Sequence, residues 1–467
     1  MNYCKGALRG HAANAPYQLE IPKGFKMAHK SPQHKRITAR MPFTAPFLPL
    51  AMELAENGSR GFGYGDKECA GLVLAVEELF SFYCGQVSAG TEVEIELEDQ
   101  DYRLALSISF PITNPDLRAF NLTWHVTPDS EESLNTLGPM IAARSVSSLR
   151  LDFGDREKVV LRMTRNREYT PAAAVSLPPA DVKGALHLSD PTEDDMRYFA
   201  AMVAASGSPF LPQFLALPGM AADMLASGHL NAILLQSGDW IAGGVLWQPL
   251  SESCLEIYGP YLFTDDPDDR GLTLLLDEAV GRISRSRARG LLRRQGPLAG
   301  HERFFDFLGE LELCGISGSA AHTTYYYRQL KEESSGVVYC SGGLASFLTD
   351  QYDRLCLPRQ LREQRIDANR LRDASVLAVQ MDYPRSLAVI RPLCSGKDMS
   401  ANLAGHLELL RGEGISNIIF EINTGRSEDT AFAEALEQTG FTPRLMIPDA
   451  GQGDLVIYAH CNLDHQP

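Results

Sequence analysis

The run "TPAAAVSLPPADVKG", Thr170 to Gly184, constrains this chain more than any other feature. Proline lacks a backbone N–H and fixes φ, so neither a helix interior nor a central strand passes through such a stretch. The run therefore reads as a linker, and it divides 467 residues into a shorter first part and a longer second part. At roughly 100 to 200 residues per domain, the length predicts about three domains. The division expected is an arm over 1–36, a domain over 37–170, the linker over 171–184, a domain over 185–332 and a third over 333–467.

Charge and cysteine content narrow the classes. A formal charge of -16 opposes a nucleic-acid partner, because phosphate binding needs a basic surface. The basic run "RSRARGLLRR", Arg285 to Arg294, reads as a solvated helix end followed by a strand, or as contact with a phosphorylated cofactor. Nine cysteines, an odd number without CxxC spacing, predict reduced thiols, a cytoplasmic location and no bound metal. No stretch offers the roughly 20 apolar residues of a membrane span.

Hydrophobic periodicity predicts the elements. "ITARMPF" alternates as a strand, "FLPLAMELAENG" is helical and stops at Asn57-Gly58, and "GLVLAVEELFSFYCGQ" is a second helix. "TEVEIELEDQ" with "YRLALSISF", and "SLRLDFGDREKVVLRMTR", are hairpins. Beyond the linker a helix precedes three strands, "NAILLQS", "WIAGGVLWQPL" and "SCLEIYGPYLF", then the loop "TDDPDDRG" and the helix "LTLLLDEAVGRI". A strand "GLLRRQG", a helix "HERFFDFLGEL" and two late strands complete that unit. The order then partly repeats: a strand pair in "SVLAVQMDYPRSLAVIRPL", a helix, the strand "ISNIIFEI", a helix and two terminal strands. Element order, without any recurring peptide, points to a diverged tandem duplication.

The frame "LAMELAENG…GLVLAVEELFSF…TLGPMIAARSVSSLRLDFGDREKVVLRM" resembles the anti-sigma-factor serine kinases, within the histidine-kinase-like and gyrase-like (GHKL) ATPases. That resemblance implies an α/β sandwich whose helix carries a glutamate as general base and, four residues on, an asparagine for Mg²⁺. Glu78 stands at the first position and Phe82 at the second. A phenyl ring offers no oxygen to Mg²⁺. "ISFPITNPDLRAF" puts Phe110 and Pro111 where the resemblance expects an adenine-binding acid, and Gly138 alone stands for a glycine-rich lid. ATP and Mg²⁺ binding are therefore not expected. Glu78 is then a vestigial kinase base, and Phe82 with Leu74 extends a packed helix face.

"CLEIYGPYLFTDDPDDRGLTLLLDEAVGRI" resembles the strand, phosphate loop and helix of the GNAT acetyltransferases. The resemblance implies that backbone amides over Arg270, Gly271, Leu272 and Thr273 cradle the pyrophosphate of acetyl-CoA at a helix N-terminus. It also implies a carboxylate base, for which Glu256 on the preceding strand is the candidate, pointing outward from Leu255 and Ile257, and an acid among Tyr325, Tyr326 and Tyr327. "ISNIIFEINTGRSEDTAFAEALEQTGF" resembles the later half of the same fold, with a reduced loop at Gly396 and Lys397 that earns no second active site.

The fold class expected is α+β: a GHKL-type sandwich followed by two GNAT-like mixed-sheet α/β domains. The function these resemblances imply is a bacterial regulatory fusion, an acetyl-CoA-dependent N-acyltransferase or acyl-CoA-binding module joined to a degenerate ATPase fold. Its partners would be acyl-CoA, an amine or protein acceptor and an anti-sigma-type protein. Two alternatives stand beside it: a non-catalytic partner-switching or ligand-sensing scaffold, and an ATP-dependent anti-sigma-factor serine kinase.

Overall fold

The computed structural model describes residues 35–460, apart from 113–114, 124–136, 155–157, 181–183, 208–210, 267, 296–301, 315–319, 333–335 and 365–370. The arm over 1–36 thus lies almost wholly outside the described residues.

The first unit is an antiparallel sheet with helices on one face. Its strands are β1 (Arg36–Pro42), β2 (Glu92–Asp99), β3 (Arg103–Pro111), β4 (Ser148–Gly154) and β5 (Lys158–Asn166), in spatial order β1-β2-β3-β5-β4. Alternation in β2 sets the faces: Val93, Ile95 and Leu97 are wholly buried, while Glu94, Glu96 and Glu98 turn outward to Arg40 and Arg36. Helices α1 (Leu48–Gly61), α2 (Asp66–Cys84) and α3 (Leu137–Ser145) accompany this sheet, and α2 commits Leu72, Val76, Leu79, Phe80 and Tyr83 to the core. Each such side chain contributes about 1.5–3 kcal/mol of burial. Two expectations change here. Helix α1 continues through Asn57-Gly58 to Gly61, because a Cβ on Gly58 would stand 2.6 Å from the Leu97 side chain and the glycine lets the helix lie close to the sheet. Leu74 is 38 % exposed, so it does not join the packed face, whereas half-buried Phe82 does.

The second unit holds β6 (Leu186–Ser189), helix α4 (Glu193–Ala205), β7 (Asn231–Ser237), β8 (Trp240–Pro249) and β9 (Cys254–Leu262). Helix α5 (Arg270–Ser284), β10 (Gly290–Gln295), β11 (Asp306–Cys314) and β12 (Ala320–Gln329) follow. A Thr192/Asp195 capping box starts α4. The sheet runs β11-β12-β10-β9-β8-β7-β6, and β9 and β10 are its one parallel pair among the described strands. The helix expected over "HERFFDFLGEL" is instead a short turn leading into β11. Leu308 and Leu311 face inward and Glu310 outward, and a bulge at Gly309 (φ +152°) lets β11 pair with β12. A Cβ on Gly309 would stand 2.5 Å from Leu445, so the bulge also admits the next unit.

The third unit opens with β13 (Gly336–Cys340), α6 (Leu344–Leu355) and β14 (Arg359–Glu363), a parallel two-stranded addition not foreseen from the sequence. Then come β15 (Val376–Asp382), β16 (Leu387–Cys394), α7 (Met399–Gly412), β17 (Asn417–Asn423), α8 (Ala433–Gln438), β18 (Phe441–Ile447) and β19 (Leu455–His460). Its sheet runs β15-β16-β17-β19-β18, with β16 and β17 parallel. The order β8-β9-α5-β10-β11-β12 thus recurs as β15-β16-α7-β17-α8-β18-β19, with a helix added where the second unit has a short turn. In both units the parallel strands share register over four residue pairs, Cys254–Ile257 with Gly290–Arg293 and Leu387–Ile390 with Asn417–Phe420.

The units share cores. Cys254, Leu292, Tyr325 and Tyr327 of the second pack with Leu387, Val389, Ile419, Leu445 and Ile457 of the third. Val376 and Cys394 of the third join the core of the first.

Candidate functional site

Each of the three places marked by the sequence is occupied by the protein itself. In the first unit, α3 lies across α2, and a Cβ on Gly138 would stand 3.0 Å from Glu78 Oε2 and 3.1 Å from the Glu78 carbonyl oxygen. Burial first, and the neighbouring charge of Glu77 second, push the Glu78 carboxyl up. Phe82 packs edge-on to Tyr83, with ring centroids 4.8 Å apart. Phe110 is wholly buried, 4.7 Å from Phe43 and 5.1 Å from Tyr83. Phe82 and Phe110 are thus packed hydrocarbon here.

The second place is the start of α5. Arg270, Gly271, Leu272 and Thr273 do not form an open loop; they are the first turn of the helix. Asp266 Oδ2 accepts the Leu272 N–H at 2.9 Å, and the Asp269 carbonyl accepts the Thr273 N–H at 3.0 Å. Gly271 is buried, and a Cβ there would stand 2.6 Å from Leu235, so its smallness serves packing against β7. A helix N-terminus attracts an anion through its amides and dipole, and Asp266 supplies one covalently. Ala180 adds to the closure, since its carbonyl accepts the Asp265 N–H at 2.8 Å.

The third place is Glu256. It was expected to point outward, yet it is 2 % exposed, because the sheet face that bears it is covered by the third unit. Its carboxylate is held by Arg294, Nε to Oε1 at 2.6 Å and Nη2 to Oε2 at 2.6 Å, and accepts the Tyr258 hydroxyl at 2.8 Å. Gln248 donates to Tyr258 at 2.6 Å. Burial, and next the charge of Glu256, raise the Tyr258 phenol. Tyr325 lies opposite Arg294 across β10 and β12, its phenol pushed up to about 12, chiefly by burial. Tyr327 is not a free acid either, for its hydroxyl donates to Asp449 Oδ2 at 3.1 Å.

The third unit also carries an ion pair between its parallel strands, with the guanidinium on the earlier strand and the carboxylate on the later one. Arg391 on β16 donates through Nε to Glu421 Oε2 on β17 at 2.6 Å, and Glu421 is 4 % exposed. Arg391 and Glu421 both lie just beyond the last parallel register pair, where the two strands part, as does Arg294, whereas Glu256 lies within the register opposite Leu292. In the second unit the gap also receives Arg293, whose Nε donates to the Gly259 carbonyl at 3.1 Å; burial lowers that guanidinium to about 10. Gly396 offers no anion seat, since a Cβ there would stand 2.2 Å from the Ser375 nitrogen, and Lys397 pairs with Asp373 at 2.7 Å.

Sequence reasoning missed Asp266, Tyr258 and Arg294 as the partners that close these sites. Arg294 lay in the basic run, but its neighbour across the parallel pair is 38 residues away in the chain. Among the described residues no group of three His, Cys, Asp or Glu is placed to hold a metal ion, and no helix is long and apolar enough to cross a membrane.

No family model matches this chain, and no curated protein matches it. The solved structures it resembles are GNAT acetyltransferases, each over about a third of the chain. A chain assigned to that family from Desulfovibrio desulfuricans is 18 % identical over 32 % of this chain and 100 % of its own, with a TM-score of 0.25. An acetyltransferase from Thermus thermophilus is 18 % identical over 32 % of this chain and 98 % of its own, at 0.22. A Salmonella typhimurium chain assigned as an acetyltransferase, solved with acetyl-CoA, is 11 % identical over 32 % and 98 %, at 0.27.

Proposed function

We propose that this chain is a non-catalytic ligand-sensing or partner-switching scaffold, built from one kinase-like and two acyltransferase-like units that kept their folds and filled their sites. The observation that carries this reading is Asp266 on the Leu272 N–H. An acyl-CoA pyrophosphate would have to displace a tethered carboxylate that already satisfies the amide and opposes a second negative charge nearby. The closure of Glu78 under Gly138 disfavours the serine-kinase reading in the same way.

Acetyl-CoA-dependent acyl transfer to an amine is the second reading. It is favoured by the hydrogen-bonded Glu256 and Tyr258, a carboxylate and a phenol side by side on the strand that leads to α5. In that reading Glu256 is the base, and Arg270 to Thr273 hold the cofactor once Asp266 swings away.

Thermal unfolding of the full chain with CoA, acetyl-CoA and Mg-ATP separates these readings. A ligand that binds the native state at 100 times its Kd stabilises by about 2.7 kcal/mol. The scaffold reading expects no shift from any of the three. A rise with acetyl-CoA that is lost in Arg270→Ala establishes the acyl-transfer reading. Phosphorylation of a protein that disappears in Glu78→Gln establishes the kinase reading.

A further inference from the structure

The first and third units meet through a short segment, residues 115–123, which lies on β15 and on helix α7. Asn121 is 8 % exposed and uses its side-chain amide as a strand would use its backbone: Nδ2 donates to the Ser375 carbonyl at 2.9 Å, and Oδ1 accepts the Leu377 N–H at 2.9 Å. Asn402 of α7 donates to the same Asn121 oxygen at 3.3 Å and accepts the Thr123 hydroxyl at 3.3 Å. Next to them stands His406, which is 0 % exposed.

Both ring nitrogens of His406 are engaged, and by groups of opposite kind. Nδ1 lies 2.9 Å from the Asn402 carbonyl oxygen, which only accepts, so Nδ1 carries the proton. Nε2 lies 3.2 Å from the Leu122 backbone nitrogen, which only donates, so Nε2 presents its lone pair. The imidazole is therefore neutral and held in one tautomer. A second proton would point Nε2–H at the Leu122 N–H in a site closed to water.

We propose that His406 makes the docking of residues 115–123 on α7 conditional on a neutral imidazole, so that acidification releases this contact between the first and third units. Burial holds the ring below its ordinary 6.5, against the opposing influence of the Asn402 carbonyl. The ionisable groups on the surrounding elements are Asp116 and Arg118 on the segment, which pair with each other, and Asp382 on β15, paired with Arg385. Asp398 at the start of α7 accepts the Ser375 N–H, Glu408 and Arg411 on α7, Glu434 and Glu437 on α8 and Arg144 on α3 stand on the neighbouring helices, and Arg391 and Glu421 pair on the opposite face of the sheet. None of these is among the causes of the ring's shift.

The sign follows from the two protonation states. A histidine whose docked pKa lies below 6.5 favours docking above that value and loses it as pH falls, by up to about tenfold per pH unit until the docked pKa is reached. Amide hydrogen exchange of the full chain tests this. Once intrinsic rates are corrected, protection over residues 120–123 is expected to fall by up to about fivefold between pH 6.5 and 5.5, while β2 and β3 stay protected. His406→Gln, whose Oε1 accepts the Leu122 N–H but does not titrate, is expected to show no such fall. Unchanged wild-type protection, a loss shared with β2 and β3, or the same fall in His406→Gln would overturn the proposal. The wild-type comparison of the segment with β2 and β3 suffices even where the glutamine variant does not fold.

Discussion

Replacing Arg294 by methionine is expected to cost about 3 kcal/mol, and replacing Glu256 by leucine a similar amount, while the double replacement costs well under their sum. The side chains are 13 % and 3 % exposed. Removing one partner of a buried pair strands the other charge, at about 3–5 kcal/mol; the partial exposure of Arg294 places this case near the lower end. The double variant strands no charge. Its residual cost is the Tyr258 hydroxyl proton left without its acceptor, about 1–3 kcal/mol, since Gln248 still donates to that oxygen. The expected coupling is therefore about 3–5 kcal/mol in a double-mutant cycle. Urea unfolding followed by the fluorescence of Trp247, which lies on β8 opposite Ile257, reads it within this unit. Single costs that add within about 0.5 kcal/mol would refute a closed, structural pair and return Glu256 to the catalytic reading.

Three further outcomes follow from the same packing. Gly71→Ala should destabilise the first unit by about 1–3 kcal/mol, visible as a lower urea midpoint, because the new Cβ would stand 2.5 Å from the Ser145 carbonyl oxygen at the end of α3. Asp429 is pushed up to about 7, chiefly by burial, from its ordinary 3.8, so its share of stability is full below 3.8 and lost as pH rises through 7. Asp429→Asn should flatten the pH dependence of the melting temperature across that window. Phe82→Asn should give no measurable Mg-ATP binding by calorimetry, since α3 still covers Glu78 and Phe110 still fills the core; a clear gain in nucleotide affinity would contradict this account.

Most of the elements and the mixed α/β class are legible in the residue pattern alone. Alternation in "TEVEIEL" and the helical spacing of "GLVLAVEELFSFY" depend on neighbours two to four residues away, so the periods that build β2 and α2 are written locally. The apolar character of Phe82 and Phe110 is legible in the same way, because a residue type that cannot ligand Mg²⁺ or bond adenine is read without a fold. Tertiary structure alone decided which faces were covered. The helical spacing in "HERFFDFLGEL" gave way to a strand because β12 offered a ladder and Gly309 a bulge. Glu256 had the alternation of an outward residue, but a sheet some 130 residues later in the chain closed over it. Asp266 carried no signal in the sequence, and only the turn of the chain placed it on the Leu272 amide. A side chain's type and period are local properties. Its burial and its partners depend on contacts distant in sequence, and in this protein those contacts decide whether each recognised site is open.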